Sequence, residues 1–588
     1  MISFMRITYI LEMREPQNSF FQVTINVDGV SEEITLITMP AWTPGSYSVR
    51  DFARNVRLLK ARTPDNEFLE VQRKDKSTWK VLNGNNRTFT ISYEVYAGEF
   101  SVRESHMDST HAYLNGTSVF MYIEGYKDQS SELIIKPYGE WKISTGLERI
   151  GDNRFRATNY DILVDTPIEI GQHRSYFFTV DGKEHEIALY GNGNQDDDRI
   201  VNDTKKIVET YRTMMGGLPY KRYVFIIHLT DENGGGGLEH LNSTTIDIDR
   251  FSFSDRTKYL RFLEVVSHEF FHLWNIKRIR PAELGPFNYK EENYTTMLWV
   301  GEGITNFYGN LTLLRAGLIS MEEYLKHLSS IIYMYEMTPG TKYESASDAS
   351  FDAWIKLYRP SPNNLNSYVS YYLKGEILGL MISGRICEYT RGQKNLDDLF
   401  RHMMDKYNKD GKGYNEKDFI ASLVEISSLD FAPFFSKYVK DTENIDFQKE
   451  LARIGLEISP VYGKNNEKDP HGFLGIIVAS GKNTVNAVLE SSPAQKAGIC
   501  PKDEIVAIDS FKFDSHFLRN ITEDSRIMLD NLKDYKPGKK IRIHVFRQGI
   551  LYAFETILGE SPPERYDLKE MENPGENVLK IREKFLLG

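Results

Sequence analysis

The chain has 588 residues, a net charge of -11, 40% hydrophobic and 26% charged residues, a composition that excludes disorder and a length that predicts about three to four domains. The acidic balance argues against a nucleic-acid partner, which needs a basic surface to meet phosphates. Only Cys387 and Cys500 are present, so a disulfide framework and a cysteine-rich metal centre are excluded, and any metal must use histidine and carboxylates.

Arg6, Glu12, Arg14 and Glu15 interrupt the amino terminus, which lacks a signal-peptide core and cleavage site. No run approaches the roughly 20 apolar residues of a membrane span, so a cytoplasmic protein is expected. From Ile2 to about Asp165, short runs such as Phe21 to Val27 and Thr88 to Val95 alternate apolar and polar residues between Gly, Asn, Asp and Pro. This pattern predicts an antiparallel β domain over 1–167, with Pro40-Ala-Trp-Thr-Pro-Gly-Ser-Tyr47 as an ordered turn. Over 168–458 the spacing becomes helical, notably at Thr257–Lys277, Thr295–Gly317 and Met321–Met337, entered through strands such as Tyr223–Leu229. A mostly α domain is expected there, closed by a polar linker from Ser459 to Pro470. A smaller domain to residue 562 and a tail over 563–588 complete an α+β multidomain chain without internal repeats.

His268 and His272 lie four positions apart in Glu264-Val-Val-Ser-His-Glu-Phe-Phe-His-Leu-Trp274. On a helix that spacing puts both imidazoles on one face, where they can grip a single ion. Zinc suits such a pair, and Glu269 between them is placed to take a proton from water. Glu302 opens another apolar helix in Trp299-Val-Gly-Glu-Gly-Ile-Thr305. A carboxylate there is costly unless paired or bound to metal, which makes it the candidate third ligand, although a helix-capping acid is the structural alternative.

His268-Glu-Phe-Phe-His-Leu-Trp-Asn-Ile-Lys-Arg-Ile-Arg-Pro281 resembles the signature of the glycyl aminopeptidase family of zinc metallopeptidases, and Pro40 to Tyr47 followed by Arg50-Asp-Phe-Ala-Arg-Asn55 matches that family's amino-terminal domain. The resemblance implies a thermolysin-like catalytic domain with a Glu third ligand, a role Glu302 fits. Lys277, Arg278 and Arg280 read on their own as a solvated basic helix end. Gly236-Gly237-Leu-Glu239 resembles the Gly-x-x-Glu element that related aminopeptidases place along the cleft. By that resemblance the glycines let backbone approach substrate and Glu239 binds its α-amino group. His240 stands where the larger related family has Asn.

Tyr371-Tyr372-Leu-Lys-Gly375 resembles the element whose tyrosine hydroxyl bonds the oxyanion. That implies Tyr372, with the adjacent Tyr371 as the alternative. Phe473-Leu-Gly-Ile476 and the segment Val488 to Ile508 resemble a PDZ domain, which implies a module able to receive a peptide carboxy terminus, or one that only packs against the enzyme. Asn408-Lys-Asp-Gly411 is rejected as a calcium loop because Lys406 and Lys417 stand where acids are needed. The reading is a zinc aminopeptidase acting on peptides with a free amino terminus, small first residues being suggested by the resemblance. A zinc endopeptidase and an inactive PDZ-bearing scaffold are its rivals.

Overall fold

The computed structural model describes residues 5–231, 235–408, 411–462, 469–479, 481–520, 527–530, 532 and 534–588. The start of the glycine loop at Asn233-Gly234, positions 409–410 of the rejected calcium loop and the middle half of the polar linker, 463–468, lie outside these residues. The chain divides into two compact units, 1–294 with 400–415, and 295–399 with 416–588.

In the first unit, strands Arg6–Glu12, Phe20–Asp28 and Thr88–Tyr96 pair in antiparallel register within an eleven-stranded sheet. Their alternate residues, among them Tyr9, Leu11, Phe21, Val23, Ile25, Phe89 and Ile91, form one core, as period-two patterning requires. The expectation of a purely antiparallel domain needs one correction. Arg6–Glu12 also pairs in parallel with Ser131–Lys136, because the long stretch between them releases the chain from the hairpin constraint. Thr43, Pro44, Gly45 and Ser46 make the predicted turn, closed by Ser46 N–H to Thr43 O at 3.1 Å, with Gly45 at φ 86. Proline followed by a left-handed glycine is the type II arrangement.

A five-stranded sheet follows, in the order Arg174–Val180, Lys183–Tyr190, Arg222–Thr230, Ser243–Asp249, Gly236–Glu239. Arg222–Thr230 pairs in parallel on both sides and is buried along almost its whole length, which explains its continuous apolar run. Gly236–Glu239 is the edge strand. Helix Arg256–Phe271 lies against this sheet. Asp255 caps it by accepting from Lys258 N–H at 2.9 Å, and Phe270 packs on Tyr223 and Phe225.

In the second unit the helix expected over Thr295–Gly317 begins as a π-helical turn, Trp299–Ile304, and continues in α form over Thr305–Arg315. Met321–Glu336 starts with a capping box between Ser320 and Glu323, and Tyr371–Tyr389 is a long, largely buried helix. Carboxy-terminal strands gather Leu474, Ile476, Val478, Ile505, Ile543 and Val545 into a separate core. Strand Ile476–Ala479 is paired on both sides, by Val485–Val488 and by Ile527–Asp530. The chain itself thus occupies the edges that the PDZ resemblance offers to a peptide. The expected tail is folded: Arg565–Glu570 pairs with Leu456–Val461, and helix Glu576–Leu587 buries Ile581, Phe585 and Leu586. Among the described residues no helix is long and apolar enough to cross a membrane.

Candidate active site

Helix Arg256–Phe271 ends where the two candidate ligand histidines stand. His268 Nε2 and His272 Nε2 face each other at 3.0 Å. His272 Nδ1 lies 3.0 Å from the Asn275 carbonyl. A carbonyl only accepts, so Nδ1 carries the proton and the Nε2 lone pair of His272 points at His268. Such a separation suits two imidazoles sharing one ion with bonds of about 2.0–2.1 Å, and an outer carbonyl that fixes the tautomer is the usual support of a metal-bound histidine. The donor set therefore fits zinc.

Glu269 and Glu239 complete the group in this unit. Ligand atoms of Glu239, Glu269 and His272 lie within 4.8 Å of one another, and all three residues are buried. Gly237 and Glu239 share the strand face turned to the helix, and the closeness at Gly237 is extreme: a Cβ there would fall 2.3 Å from Cγ and Oε1 of Glu269. Gly45 comes from the other side. A Cβ on it would meet both carboxylate oxygens of Glu239 at 2.6 Å, so the Pro40–Tyr47 turn lies directly on that carboxylate. A Cβ on Gly236, by contrast, would meet only Arg103, at 3.8 Å.

The expected basic helix end does not exist as such. The helix stops at Phe271, and Ile276 at φ 102 reverses the chain, a conformation that costs a β-branched residue on the order of 1–3 kcal/mol. Lys277 is carried inward to Asp165, Nζ to Oδ1 2.7 Å, with its side chain only 7% exposed. Burial opposes its charge, but Asp165 and then Glu239 outweigh it and raise its pKa. Asp165 also accepts Leu241 N–H at 3.0 Å and faces His240 Nδ1 at 3.2 Å, which gives His240 a place in this ion cluster. Arg278 donates to the carbonyls of Leu241, Leu273 and Pro219 and to Asn242 Oδ1. Arg280 donates to Gly411 O at 3.1 Å. These residues lock the turn after the helix, and with it the Asn275 carbonyl that orients His272.

The second unit holds Glu302 and Tyr372 together. The π-helical turn and helix Tyr371–Tyr389 touch backbone to backbone: a Cβ on Gly303 would meet Gly375 Cα at 2.3 Å, and one on Gly375 would meet Trp299 O at 2.3 Å. This contact gives a physical reason for glycine after both Glu302 and Lys374. Burial first, then the Glu302 charge, push the Tyr372 hydroxyl well above its ordinary pKa, so it stays protonated. Tyr371 is 0% exposed and stacks on Tyr372, ring centres 4.8 Å apart, whereas Tyr372 retains access to solvent.

Residues 8–172 match the Peptidase M61 N-terminal domain, and residues 261–378 match M61 glycyl aminopeptidase. A crystal structure described as an aminopeptidase N family protein from Idiomarina loihiensis is similar over 98% of this chain and 99% of that one, at 28% identity and a TM-score of 0.89. The two matched segments are M61 metallopeptidase domains. A search of curated proteins gives no match. Sequence reasoning about this peptidase missed Gly45, Asn275, Ile276 and the inward Lys277. The Trp-Asn-Ile-Lys-Arg-Ile-Arg-Pro signature contained three of them, but the roles arise from a chain reversal that no Gly or Asn at the turn announces.

Proposed function

We propose that this peptidase removes amino-terminal residues, small ones such as Gly or Ala, from peptides with a free α-amino group, using zinc held by His268, His272 and Glu302. The observation that carries the reading is the buried group of Glu239, Glu269 and His272 beneath Gly237: an ammonium acceptor, a base and a metal ligand in one place. Zinc, when bound, supplies a Lewis acid that polarises the scissile carbonyl and acidifies water.

The chain's own residues do the rest. Gly236 and Gly237 present the backbone of an edge strand, which takes an extended peptide as an added strand. Glu239 accepts the substrate ammonium, a charge-assisted contact that an internal peptide segment cannot make. Gly45 covers that carboxylate, and the cavity beside it, lined by Trp42, Tyr47, Ile276 and Lys277, measures about 20 Å³, room for roughly one water, which supports a small first residue. Glu269 takes the proton of the attacking water and passes it to the leaving amine. Tyr372, kept protonated, donates its O–H to the oxyanion. Glu302 as third ligand is supported by its burial and its place beside Tyr372.

The divisions at 167/168 and 458/459 and a PDZ-like carboxy-terminal module belong to the same reading. The paired edges of Ile476–Ala479 favour packing over peptide capture there.

The test measures metal content alongside hydrolysis of aminoacyl chromogenic amides. Glu269→Gln keeps the side-chain volume, so it is expected to retain zinc and lose turnover. Near wild-type kcat at full zinc content overturns the mechanism, and equal cleavage of N-acetylated and free peptides by the wild type moves the protein to the endopeptidase reading.

A further inference from the structure

A second group of metal-ligand side chains lies outside the peptidase site, on the hairpin of strands Ser105–Met107 and His111–Leu114. One ligand atom each of His106, Asp108 and His111 lies within 4.8 Å of the other two. His106 Nε2 and Asp108 Oδ2 are 3.2 Å apart, close to the edge of about 3.3 Å that a tetrahedral shell with bonds of about 2.0 Å requires. The other Asp108 oxygen is already engaged, accepting from Thr110 N–H at 2.7 Å, from the Thr110 hydroxyl and from His111 N–H. Oδ2 is thereby aimed at His106.

His111 is prepared from behind. Its Nδ1 faces Glu169 Oε1 at 3.0 Å, and both residues are almost fully buried. A carboxylate accepts, so Nδ1 carries the proton that faces Glu169 and Nε2 is the nitrogen left for a metal. This is the carboxylate–histidine arrangement that orients an imidazole ligand and raises its basicity. Glu169 is held in turn by His228, whose other nitrogen bonds Asp247 at 2.9 Å. His228 faces two carboxylates, donates from both nitrogens and is cationic.

Access and shielding are both present. The side chains of His106 and Asp108 are 20% and 44% exposed, while the Phe100 ring lies 4.8 Å from the His106 ring and 4.9 Å from that of His228. The buried His106 Nδ1 has no hydrogen-bond partner among the described residues, so Nε2 is its anchored nitrogen.

We propose that His106, Asp108 and His111 form a second, non-catalytic site for a divalent transition-metal ion, zinc above all. Two imidazoles and one carboxylate suit zinc, copper or nickel better than the oxygen-seeking calcium or magnesium. The ion ties the hairpin to strand Ser243–Asp249 through His111, Glu169, His228 and Asp247. Asp247 is the residue opposite Gly236 on the edge strand.

The experiment loads the metal-free full chain with zinc, dialyses to equilibrium and measures bound metal per chain for wild type, His106→Gln, Asp108→Asn and His272→Ala. Asp108→Asn preserves the turn-closing oxygen, so its fold is kept, and circular dichroism checks each variant. Two equivalents are expected in the wild type. One is expected in His106→Gln and Asp108→Asn with peptidase activity retained, and one in His272→Ala with activity lost. A wild type that binds a single equivalent lost only in His272→Ala overturns the proposal, as does a second equivalent that survives both hairpin variants. A single equivalent lost in His106→Gln and kept in His272→Ala upholds the hairpin site and refutes the catalytic assignment instead, so the two failures are distinguishable.

Discussion

Replacing Gly237 with alanine tests the placement of Glu269 directly. The new Cβ falls 2.3 Å from Cγ and Oε1 of Glu269, where ordinary contact begins at 3.4 Å, a shortfall of about 1 Å that one partner must absorb. Gly237 sits in a strand outside the left-handed region, so its own backbone accepts alanine, and the movable partner is the Glu269 side chain. A displacement of about 1 Å of a positioned group costs on the order of a hundredfold in rate, while the added methyl costs about 1–3 kcal/mol of stability at most. The assay is kcat on alanyl or glycyl chromogenic amides, with variant and wild type matched for bound zinc and compared for thermal midpoint. We expect kcat to fall about a hundredfold at unchanged metal content. A variant whose kcat stays within about threefold of wild type refutes the placement of Glu269 as the base against Gly237.

Glu239→Ala is expected to lower kcat/KM for free-amino-terminus peptides by ten- to more than a hundredfold, from about 1.5–3 kcal/mol of charge-assisted contact; N-acetylated peptides should be poor for both proteins and equally so, which parallel kinetics will check. Lys277→Met leaves Asp165 buried without its ammonium and is expected to destabilise by about 3–5 kcal/mol, read from urea unfolding of the first cooperative step. Lys374 is 1% exposed, and its pKa is lowered to about 8, by burial first, with Glu344 and two aspartates opposing. The unfolded chain therefore holds more protons than the folded one between about pH 8 and 10.5, so this group's contribution to stability rises with pH across that window and is least favourable below it, by about 3 kcal/mol in all. Lys374→Met should flatten that rise relative to wild type, and identical slopes from denaturation at pH 8 and pH 10 would count against it.

What was legible in the sequence was local. The shared face of His268 and His272 was readable because helical periodicity alone fixes which side chains stand together, and Thr88 to Tyr96 reads as a strand because its alternation is buried on one side. The parallel partnership of Arg6–Glu12 was not legible, since an alternating strand has the same pattern whichever way its neighbour runs. The π-helical turn at Glu302 leaves no periodic trace over six residues. Lys277 was misread because the turn before it rests on Ile276, a residue that ordinarily argues against a left-handed reversal. Gly237 is informative only through what a missing methyl admits, which depends on how closely strand and helix approach.

Gly45 stands against Glu239 although 194 positions separate them (239 − 45). Under the proposed function, the feature that makes the enzyme count from the end of a peptide is therefore a wall built by the amino-terminal β domain and leaned on by the catalytic sheet. The β domain is then no detachable accessory. An excised protease core would lose the stop at the end of its cleft along with its neighbour and should drift toward cutting within chains. Remodelling the Thr43 to Ser46 turn offers a route to new exopeptidase preferences that leaves the metal centre untouched.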